Sequence, residues 1–406
     1  MTAPATAEKF KKRIVSLDQF RGYTVAGMFL VNYMGFFVVC PVVLKHHNTY
    51  CSYADTIMPH FLFAVGFAYR LTFGRRVQTD GAVSAYLRVV RRLLGLVLVS
   101  LIIYRVSPVA KTWEELQSLG IWNAIADPLK RNWFQTLMHI AVTSLWITPV
   151  IRSRASVRIG FMVLSAVAHV ILSYYFYFTW VNSPPNGIDG GPLGFLTWTI
   201  PAIIGTLACD WVVEAEGLPR VKPILFWSFA LMLLGWAISC GTRLYDVPIA
   251  AQSAPVNQRQ KLASHPVIPA EAQWTAKVGE PLSAYLAEPP FVKPPEQEQR
   301  QWNYWMMSQR AGTLSYLVFS AGLSLFVYLL FHLACDRGNL QIPLFRTLGT
   351  NALVAYILHD LVGEAVKPFT TRDAAAWYAW GSFVLFFWIT WLIVRHLEKN
   401  KIHLRL

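Results

Sequence analysis

The stretch AGTLSYLVFSAGLSLFVYLLFHL, residues 311–333, decides the fold class because it contains no acidic residue, lysine or arginine. A helix of about 20 apolar residues covers the roughly 30 Å of hydrocarbon in a bilayer. Further apolar stretches extend from residue 22 to residue 395, so we predict an all-α, polytopic transmembrane bundle of about ten spans. The predicted spans are 22–43, 54–73, 89–106, 132–151, 158–181, 193–213, 223–243, 311–333, 344–363 and 376–395.

The composition of the 406 residues also indicates a membrane protein. Hydrophobic residues make up 55% and charged residues 14%, whereas soluble domains contain about 25% charged residues. The net charge of +14 does not indicate nucleic acid as a partner, because the basic residues lie in short loops between apolar stretches and act as topology signals. The five cysteines form no CxxC pair and show no zinc spacing. We therefore exclude a soluble enzyme with a membrane tail, and we predict no metal site.

The distribution of lysine and arginine predicts the orientation of the chain. Segments on the side of the N-terminus carry most of these residues, even when the long polar loop is left out of the comparison. We therefore predict a multi-pass protein of the cell inner membrane with both termini in the cytoplasm. Its segments are a cytoplasmic segment (1–21), a first bundle part (22–243), an extended, partly ordered, Pro-rich outer loop (244–310), a second bundle part (311–395) and a basic cytoplasmic tail (396–406).

Polar residues cluster at the predicted outer end of the first two spans. The loop between these spans contains the adjacent His46 and His47, and Asp55 begins the second span. Histidine suits general-base catalysis because its pKa is near neutrality, although loop histidines are often solvated surface residues. Asp55 is also a preferred helix N-cap. Asn32 can donate a hydrogen bond to a developing oxyanion or can bond to a neighbouring helix.

A second polar set lies in the predicted ninth span. The segment LGTNALVAYILHD, residues 348–360, places Asn351 and His359 two helical turns apart on nearly one face, with Asp360 next along the chain. The predicted orientation brings His359 and Asp360 to the outer membrane face. There His359 either hydrogen-bonds to a substrate or only forms a structural contact between helices. We assign these three residues, together with Asp55, to substrate binding.

Arginines mark the predicted cytoplasmic face. Arg21 forms an i,i+3 pair with Asp18, which stabilises the start of a helix or leaves the guanidinium to bind an anion. The arginine-rich stretch that runs from Arg70 through Arg75 and Arg76 to residue 92 attracts phosphate groups or serves only as a topology signal. We assign these arginines to a ligand that carries phosphates.

The quoted stretches resemble the transmembrane heparan-alpha-glucosaminide N-acetyltransferases and their bacterial relatives. The similarity covers roughly residues 13–75 and 312–405, whereas the region 244–302 has no counterpart that we can place. The motifs that carry it are RIVSLDQFRG (13–22), VNYMG (31–35), ADTIMPHFLFAVG (54–66), TLSY (313–316) and LGTNALVAYILHDLV (348–362).

The resemblance implies a transmembrane acyltransferase that depends on acetyl-CoA and holds no tightly bound cofactor. The family transfers an acetyl group from cytosolic acetyl-CoA to a glucosamine amine across the membrane. Its proposed catalytic pair, an Asn in the VNY motif and a His after a Lys in the following loop, falls here on Asn32 and His46, with His47 as the alternative. The implied partners are acetyl-CoA, a glycan or amino-sugar acceptor and the bilayer; the oligomeric state, monomer or homodimer, stays open.

Two other functions fit the same pattern. Polar residues inside membrane spans also line the path of a transporter or channel for a small solute, and an envelope assembly protein could dock through the outer loop. The sequence contains no inverted repeat, which disfavours the transporter. We therefore predict an integral membrane enzyme that moves an acetyl or other acyl group to a glycan on the outer face, with a solute transporter as the alternative.

Overall fold

A computed structural model of the chain confirms the all-α prediction. The described residues form helices, turns and loops, and none of them belongs to a β-strand. The predicted segments 1–21, 244–310 and 396–406 each lie partly outside the described residues. The structure describes residues 14–213, 221–247, 263, 265–296, 299–402 and 404.

The helices follow one another with mostly short connections, and turns of 3₁₀ or π type extend several of them. Pro128–Trp133 and Thr148–Val150 flank the fifth helix, and His332–Arg337 extends the eleventh. The described α-helices are α1 (Val15–Met34), α2 (Tyr53–Asp80), α3 (Ala82–Ile103), α4 (Trp113–Asp127), α5 (Thr136–Ile147), α6 (Ala155–Tyr175), α7 (Tyr177–Asn182), α8 (Phe195–Val213), α9 (Val221–Ser239), α10 (Glu271–Thr275), α11 (Leu314–Phe331), α12 (Pro343–Thr350), α13 (Ala352–Val366) and α14 (Ala376–Lys399).

Five of the described helices are long and apolar enough to cross a membrane, namely α6, α8, α9, α11 and α14, with α9 and α11 counted together with the turns that follow them. Within their most apolar windows, 78% of α8 and 61% of α11 is buried inside the protein, against 22% for each of the other three. α8 and α11 are therefore central, whereas α6, α9 and α14 expose apolar side chains at the periphery. Such an apolar surface is suited to lipid chains. The count of ten spans stays a prediction.

Glycines bring the central helices close together. A Cβ atom at Gly66 of α2 would collide with the carbonyl oxygen of Ala202 in α8, and one at Gly205 of α8 would collide with that of Phe63 in α2. Small residues allow backbones in membrane bundles to approach until van der Waals contact is made along the crossing. This crossing holds α2, which contributes to the candidate site described below, against the centre of the bundle.

The first helix begins at Val15 rather than at residue 22 and ends at Met34 rather than at residue 43. Its polar first turns are accommodated by partners that are distant in sequence. The Gln19 side chain donates to the Ile342 carbonyl at 3.2 Å and accepts from the Ile342 amide at 3.1 Å. The Ser16 amide donates to Asp336 at 3.1 Å. Because these distant partners satisfy the polar side chains, the polarity of the stretch wrongly predicted a later start for α1.

The predicted ninth span is not one continuous helix. Asn351 has φ −119° and ψ 39°, which ends α12 and precedes α13. Gly349, just before this break, lies so close to α1 that a Cβ atom there would collide with the Asp18 carbonyl oxygen. Glycine and asparagine are both poor helix formers, so the helix is interrupted here while α12 stays packed on α1.

The described part of the predicted outer loop is folded rather than extended. Arg300 is 1% exposed, and its guanidinium donates to Asp246 and to Glu288, each at 2.6 Å. Buried charges persist only when they are paired in this way. Next to this cluster, the Phe291 amide donates to the Cys51 carbonyl at 2.9 Å. The loop is thereby attached to the connection between α1 and α2.

Candidate functional site

Two cavities meet inside the bundle. The larger, about 700 Å³, contains five of the predicted site residues, and we call it the His46 cavity: Asn32, His46, Asp55, His359 and Asp360. The smaller, about 320 Å³, contains three cations, and we call it the arginine cavity: Arg21, Arg76 and Arg92. Three residues line both cavities: Phe61, Thr136 and Tyr356.

The two cavities lie toward opposite ends of the same helices. On α1, Arg21 lines the arginine cavity and Asn32 lines the His46 cavity, which at 1.5 Å per residue places them about 16 Å apart along the axis. On α2, Asp55 near the start of the helix lines the His46 cavity, and Arg76 near its end lines the arginine cavity. The shared residues therefore form a thin partition between two chambers that extend toward different ends of the bundle.

Asp55 joins helix capping to the orientation of His46. One carboxylate oxygen accepts from the Ser52 amide and hydroxyl, both at 2.9 Å, and the Ser52 hydroxyl oxygen accepts in turn from the Asp55 amide at 3.3 Å. The other carboxylate oxygen lies 2.8 Å from Nδ1 of His46. The predicted N-cap position is therefore wrong, because Ser52 is the N-cap and Asp55 occupies N3 of the capping box. The same Asp55 carboxylate contacts His46.

The contact with Asp55 sets the protonation of His46. A carboxylate accepts, so Nδ1 carries the proton and Nε2 is left with a lone pair for the cavity. Burial lowers the pKa of His46, but the hydrogen bond and the charge of Asp55, with a further contribution from Asp189, raise it by more, and the pKa lies above its ordinary value of 6.5. Half of the His46 side chain is exposed, so this base is accessible.

His47 points elsewhere. Its Nε2 bonds to the Val42 carbonyl at 2.9 Å, and its ring stacks on Tyr50 at a centroid distance of 4.3 Å. Its side chain is not among those that line the His46 cavity. The geometry therefore favours His46 over His47 as the candidate base.

Asn32 and His359 form a second pair in the His46 cavity. Nδ2 of Asn32 lies 3.1 Å from Nε2 of His359, whose Nδ1 bonds to the Tyr356 carbonyl. The Nδ1 proton is thus donated to Tyr356, and Nε2 accepts from Asn32, which describes a neutral imidazole. Phe29 stacks on the ring at 5.6 Å, and Asp360 lies 3.3 Å from Nε2. Asn32 is exposed to the cavity and keeps one N–H for a ligand.

The arginine cavity contains two of the four predicted phosphate-binding arginines. Arg21 and Arg76 line it together with Arg92, a further member of the arginine-rich stretch. Asn351 lines this cavity and not the one that contains His359, because the helix break separates their environments. The expectation that Asn351 and His359 serve one substrate site therefore does not match the structure.

The other two predicted arginines lie outside this cavity. Nε of Arg70 is 2.7 Å from Asp210, and its Nη1 donates to the Ile151 carbonyl at 2.6 Å. These contacts give Arg70 a structural role where the chain turns after α5. Arg75 is exposed and is not among the lining residues of the arginine cavity. The difference arises because successive helical residues point in directions about 100° apart.

Sequence reasoning missed Asp189, a buried carboxyl in the wall of the His46 cavity. Gln309 donates to its side chain, and the Trp198 indole donates to its backbone carbonyl at 2.6 Å. Burial raises the pKa of Asp189 to about 7; the charge of His46 lowers it and that of Asp55 raises it. Its φ of +53° is uncommon for a residue other than glycine. A single acid among the glycines of the segment GIDGG, 187–191, was the available signal.

The arrangement as a whole combines a carboxylate-oriented histidine, an amide donor and, beyond a thin partition, a group of cations. An acid, a histidine and an amide are the parts required to take a proton from a nucleophile and to stabilise an oxyanion. Among the described residues, no group of three or more His, Cys, Asp or Glu side chains could hold a metal ion.

Comparisons with known proteins leave the family open. No protein-family model matches the chain, and no curated protein matches it in sequence. The resemblance to the transmembrane N-acetyltransferases thus depends on the short motifs quoted above.

Proposed function

We propose that this protein is an integral membrane acyltransferase that moves an acetyl or other acyl group from cytosolic acetyl-CoA to an amino sugar or other glycan on the outer face. In this proposal the arginine cavity opens to the cytoplasm and the His46 cavity to the outside. Both termini are then cytoplasmic, and the protein lies in the cell inner membrane with about ten spans.

One observation carries the proposal: the polar pairs His46–Asp55 and Asn32–His359 share a cavity that only a thin partition separates from a cation-lined one. A donor that carries phosphates and an acceptor from the other side could thus be held with their reactive ends close together. Such positioning alone lowers the barrier for a reaction between two bound molecules.

The chemistry follows from the atoms that face the His46 cavity. The acceptor amine or hydroxyl attacks the thioester carbonyl carbon while Nε2 of His46 takes its proton. The carbonyl oxygen becomes an oxyanion, to which the remaining N–H of Asn32 donates. Collapse of this intermediate breaks the C–S bond, and the CoA thiolate leaves and takes the proton from His46. Asp55 holds the imidazole in the required tautomer and stabilises its cationic form.

The arginine cavity supplies what the donor requires. CoA carries several phosphate charges, and three arginines lie in a cavity of which no described lining residue is a carboxylate. Arginine binds phosphate with two parallel hydrogen bonds. The thioester end would then extend toward Phe61, Thr136 and Tyr356, where it would meet the acceptor.

The same partition favours a second candidate, a solute transporter. Two chambers that reach opposite ends of a bundle and are separated by few residues are also what alternating access requires. In that case the histidine pairs would bind the solute, and no acyl group would be transferred.

Sealed inside-out vesicles that contain the protein separate the two candidates. Labelled acetyl-CoA is added outside, at the cytoplasmic face, and glucosamine is enclosed. The acyltransferase accumulates labelled N-acetylglucosamine inside, with loss of the product in His46→Ala and none in His396→Ala, a histidine at the far end of α14 that serves as the control. Glucosamine efflux without labelled product supports the transporter. Labelled product at the wild-type rate in His46→Ala contradicts the proposed mechanism.

A further inference from the structure

Two arginines lie in the wall of the His46 cavity, and the proposed chemistry uses neither of them. Arg131 belongs to the π turn before α5, and Arg310 belongs to the segment that leads into α11. Both line the cavity that also contains His46 and Asp189. They are far in sequence from the three cations of the arginine cavity and lie toward the other end of the bundle.

Each of these arginines is held in place by its surroundings. The neighbouring Lys130 donates to the Trp180 and Ser183 carbonyls at 3.0 and 2.8 Å, which attaches the turn to the end of α7 and to the loop that follows it. Nη1 of Arg131 donates to the Asn186 carbonyl in that loop at 2.9 Å. The guanidinium carbon of Arg310 lies 5.7 Å from the centre of the Trp302 ring.

The two charges repel one another. Both side chains line the same cavity, and burial and the charge of Arg131 both lower the pKa of Arg310. Nη1 of Arg310 is buried and has no hydrogen-bond partner in the part of the chain that the structure describes. A buried donor without an acceptor costs free energy, and the cost is greater for a charged group.

Asp189, a buried carboxyl group of the same cavity, does not relieve this repulsion. Asp189 accepts from the Gln309 side chain, and the cation whose charge lowers its pKa is His46 rather than Arg310. Within the described residues, neither arginine forms an ion pair with a carboxylate. An anion from outside the protein would therefore satisfy the orphan N–H and neutralise the pair.

We propose that Arg131 and Arg310 form an anion subsite that binds a sulfate, phosphate or carboxylate group of the acceptor. The assignment of the ligand as the acceptor rests on the proposed function, in which this cavity faces away from the CoA pool. The subsite selects an acidic amino sugar or glycan over a neutral one, and it holds the nucleophile beside Nε2 of His46. Planar guanidinium groups suit such oxyanions because they bind them with two parallel hydrogen bonds.

The test compares two sugars on the full-length purified protein without acetyl-CoA. Titration calorimetry measures the Kd of glucosamine 6-sulfate and of glucosamine. We expect the wild type to bind the sulfated sugar at least about tenfold more tightly, the effect of a hydrogen bond between charged groups. Arg310→Gln and the exposed Arg131→Gln should each remove most of this preference, and Arg310→Lys should keep part of it. Arg154→Gln, an exposed arginine before α6, is the matched control and should change nothing.

Equal binding of the two sugars by the wild type overturns the subsite, as does a preference that survives in both glutamine variants. Loss of labelled acetyl-CoA binding in these variants, with the sugar preference unchanged, assigns the anion to the donor and also overturns it. The proposed function fails separately: a wild type that prefers the sulfated sugar but transfers no acetyl group keeps the subsite and loses the enzyme. Acetyl transfer without any preference keeps the enzyme and loses the subsite.

Discussion

The two cavities hold their polar groups in different ways. In the His46 cavity, each candidate catalytic side chain has a directional partner, as in His46–Asp55 at 2.8 Å and Asn32–His359 at 3.1 Å. In the arginine cavity, cations from α1, α2 and α3 gather without a carboxylate among the described lining residues. Directional hydrogen bonds suit proton transfer, which requires one tautomer and one orientation. A concentration of positive charge suits a flexible polyanion, which requires neither.

The largest effect expected from this difference concerns the base. His46→Ala should lower kcat by about 10²–10⁴-fold, the usual contribution of a general base, and should leave the Kd of acetyl-CoA near its wild-type value because the arginine cavity is untouched. Rates of acetyl transfer and binding of labelled donor measure the two quantities.

The matched variant is His47→Ala, because His47 is adjacent in sequence but its Nε2 bonds to the Val42 carbonyl. It should retain most of the activity. If His47→Ala loses the activity and His46→Ala retains it, the base is His47 rather than His46.

The next effect is a displaced pH profile. Catalysis requires neutral His46, so the rate falls as the pH drops through the raised pKa of this group. Asp55→Asn keeps an acceptor for the Ser52 amide but removes the charge that raises the pKa, while burial continues to lower it. The acid limb of kcat/KM should therefore move to lower pH, and the maximal rate should fall by about 10- to 100-fold, since a hydrogen bond between charged groups is lost.

Asp360→Asn provides the comparison for this shift, because Asp360 is a carboxylate of the same cavity that contacts His359 and not His46. Its acid limb should stay where it is. A limb that stays fixed in Asp55→Asn, or that moves to higher pH, contradicts the assignment of the titrating group to His46.

A smaller effect is expected in the arginine cavity, where three cations share the ligand. Arg76→Gln should raise the KM of acetyl-CoA by about tenfold, the loss of one charged contact, with the KM of the acceptor little changed. Arg75→Gln is the control, because Arg75 is exposed and does not line the cavity. Equal effects of the two changes would mean that the arginines act only through the overall charge of this face.

The adjacent pairs His46/His47 and Arg75/Arg76 illustrate what the sequence could predict. Composition and the lengths of apolar stretches predicted a helical membrane protein, and the clustering of residue types predicted segments that line the His46 cavity. Which member of each adjacent pair faces a cavity depends on the turn between α1 and α2 and on the rotation of α2 about its axis. Packing against residues that are distant in sequence determines both features, so no local sequence pattern predicts them.

The residues that sequence reasoning missed have the same explanation. Asp189 lies in a short glycine-rich loop that no chemical motif marks, and its significance comes from the neighbouring His46, Asp55 and Gln309. The break at Asn351 depends on the contact of Gly349 with α1. The early start of α1 depends on partners of Gln19 that lie more than three hundred residues away.

The smallest expected effect concerns the partition between the two cavities. Tyr356 lines both cavities, and its hydroxyl bonds to that of Tyr104. Tyr356→Phe keeps the ring that separates the chambers and removes one neutral hydrogen bond, so we expect a loss in kcat/KM of only about 2- to 10-fold. Because the residue belongs to both walls, the KM values of acetyl-CoA and of the acceptor should rise together. Tyr378→Phe removes a hydroxyl that bonds to the Phe369 carbonyl at 2.8 Å. Because Tyr378 lines neither cavity, this change should alter neither KM. A change confined to one KM would place Tyr356 in one chamber alone and move the boundary to Phe61 and Thr136.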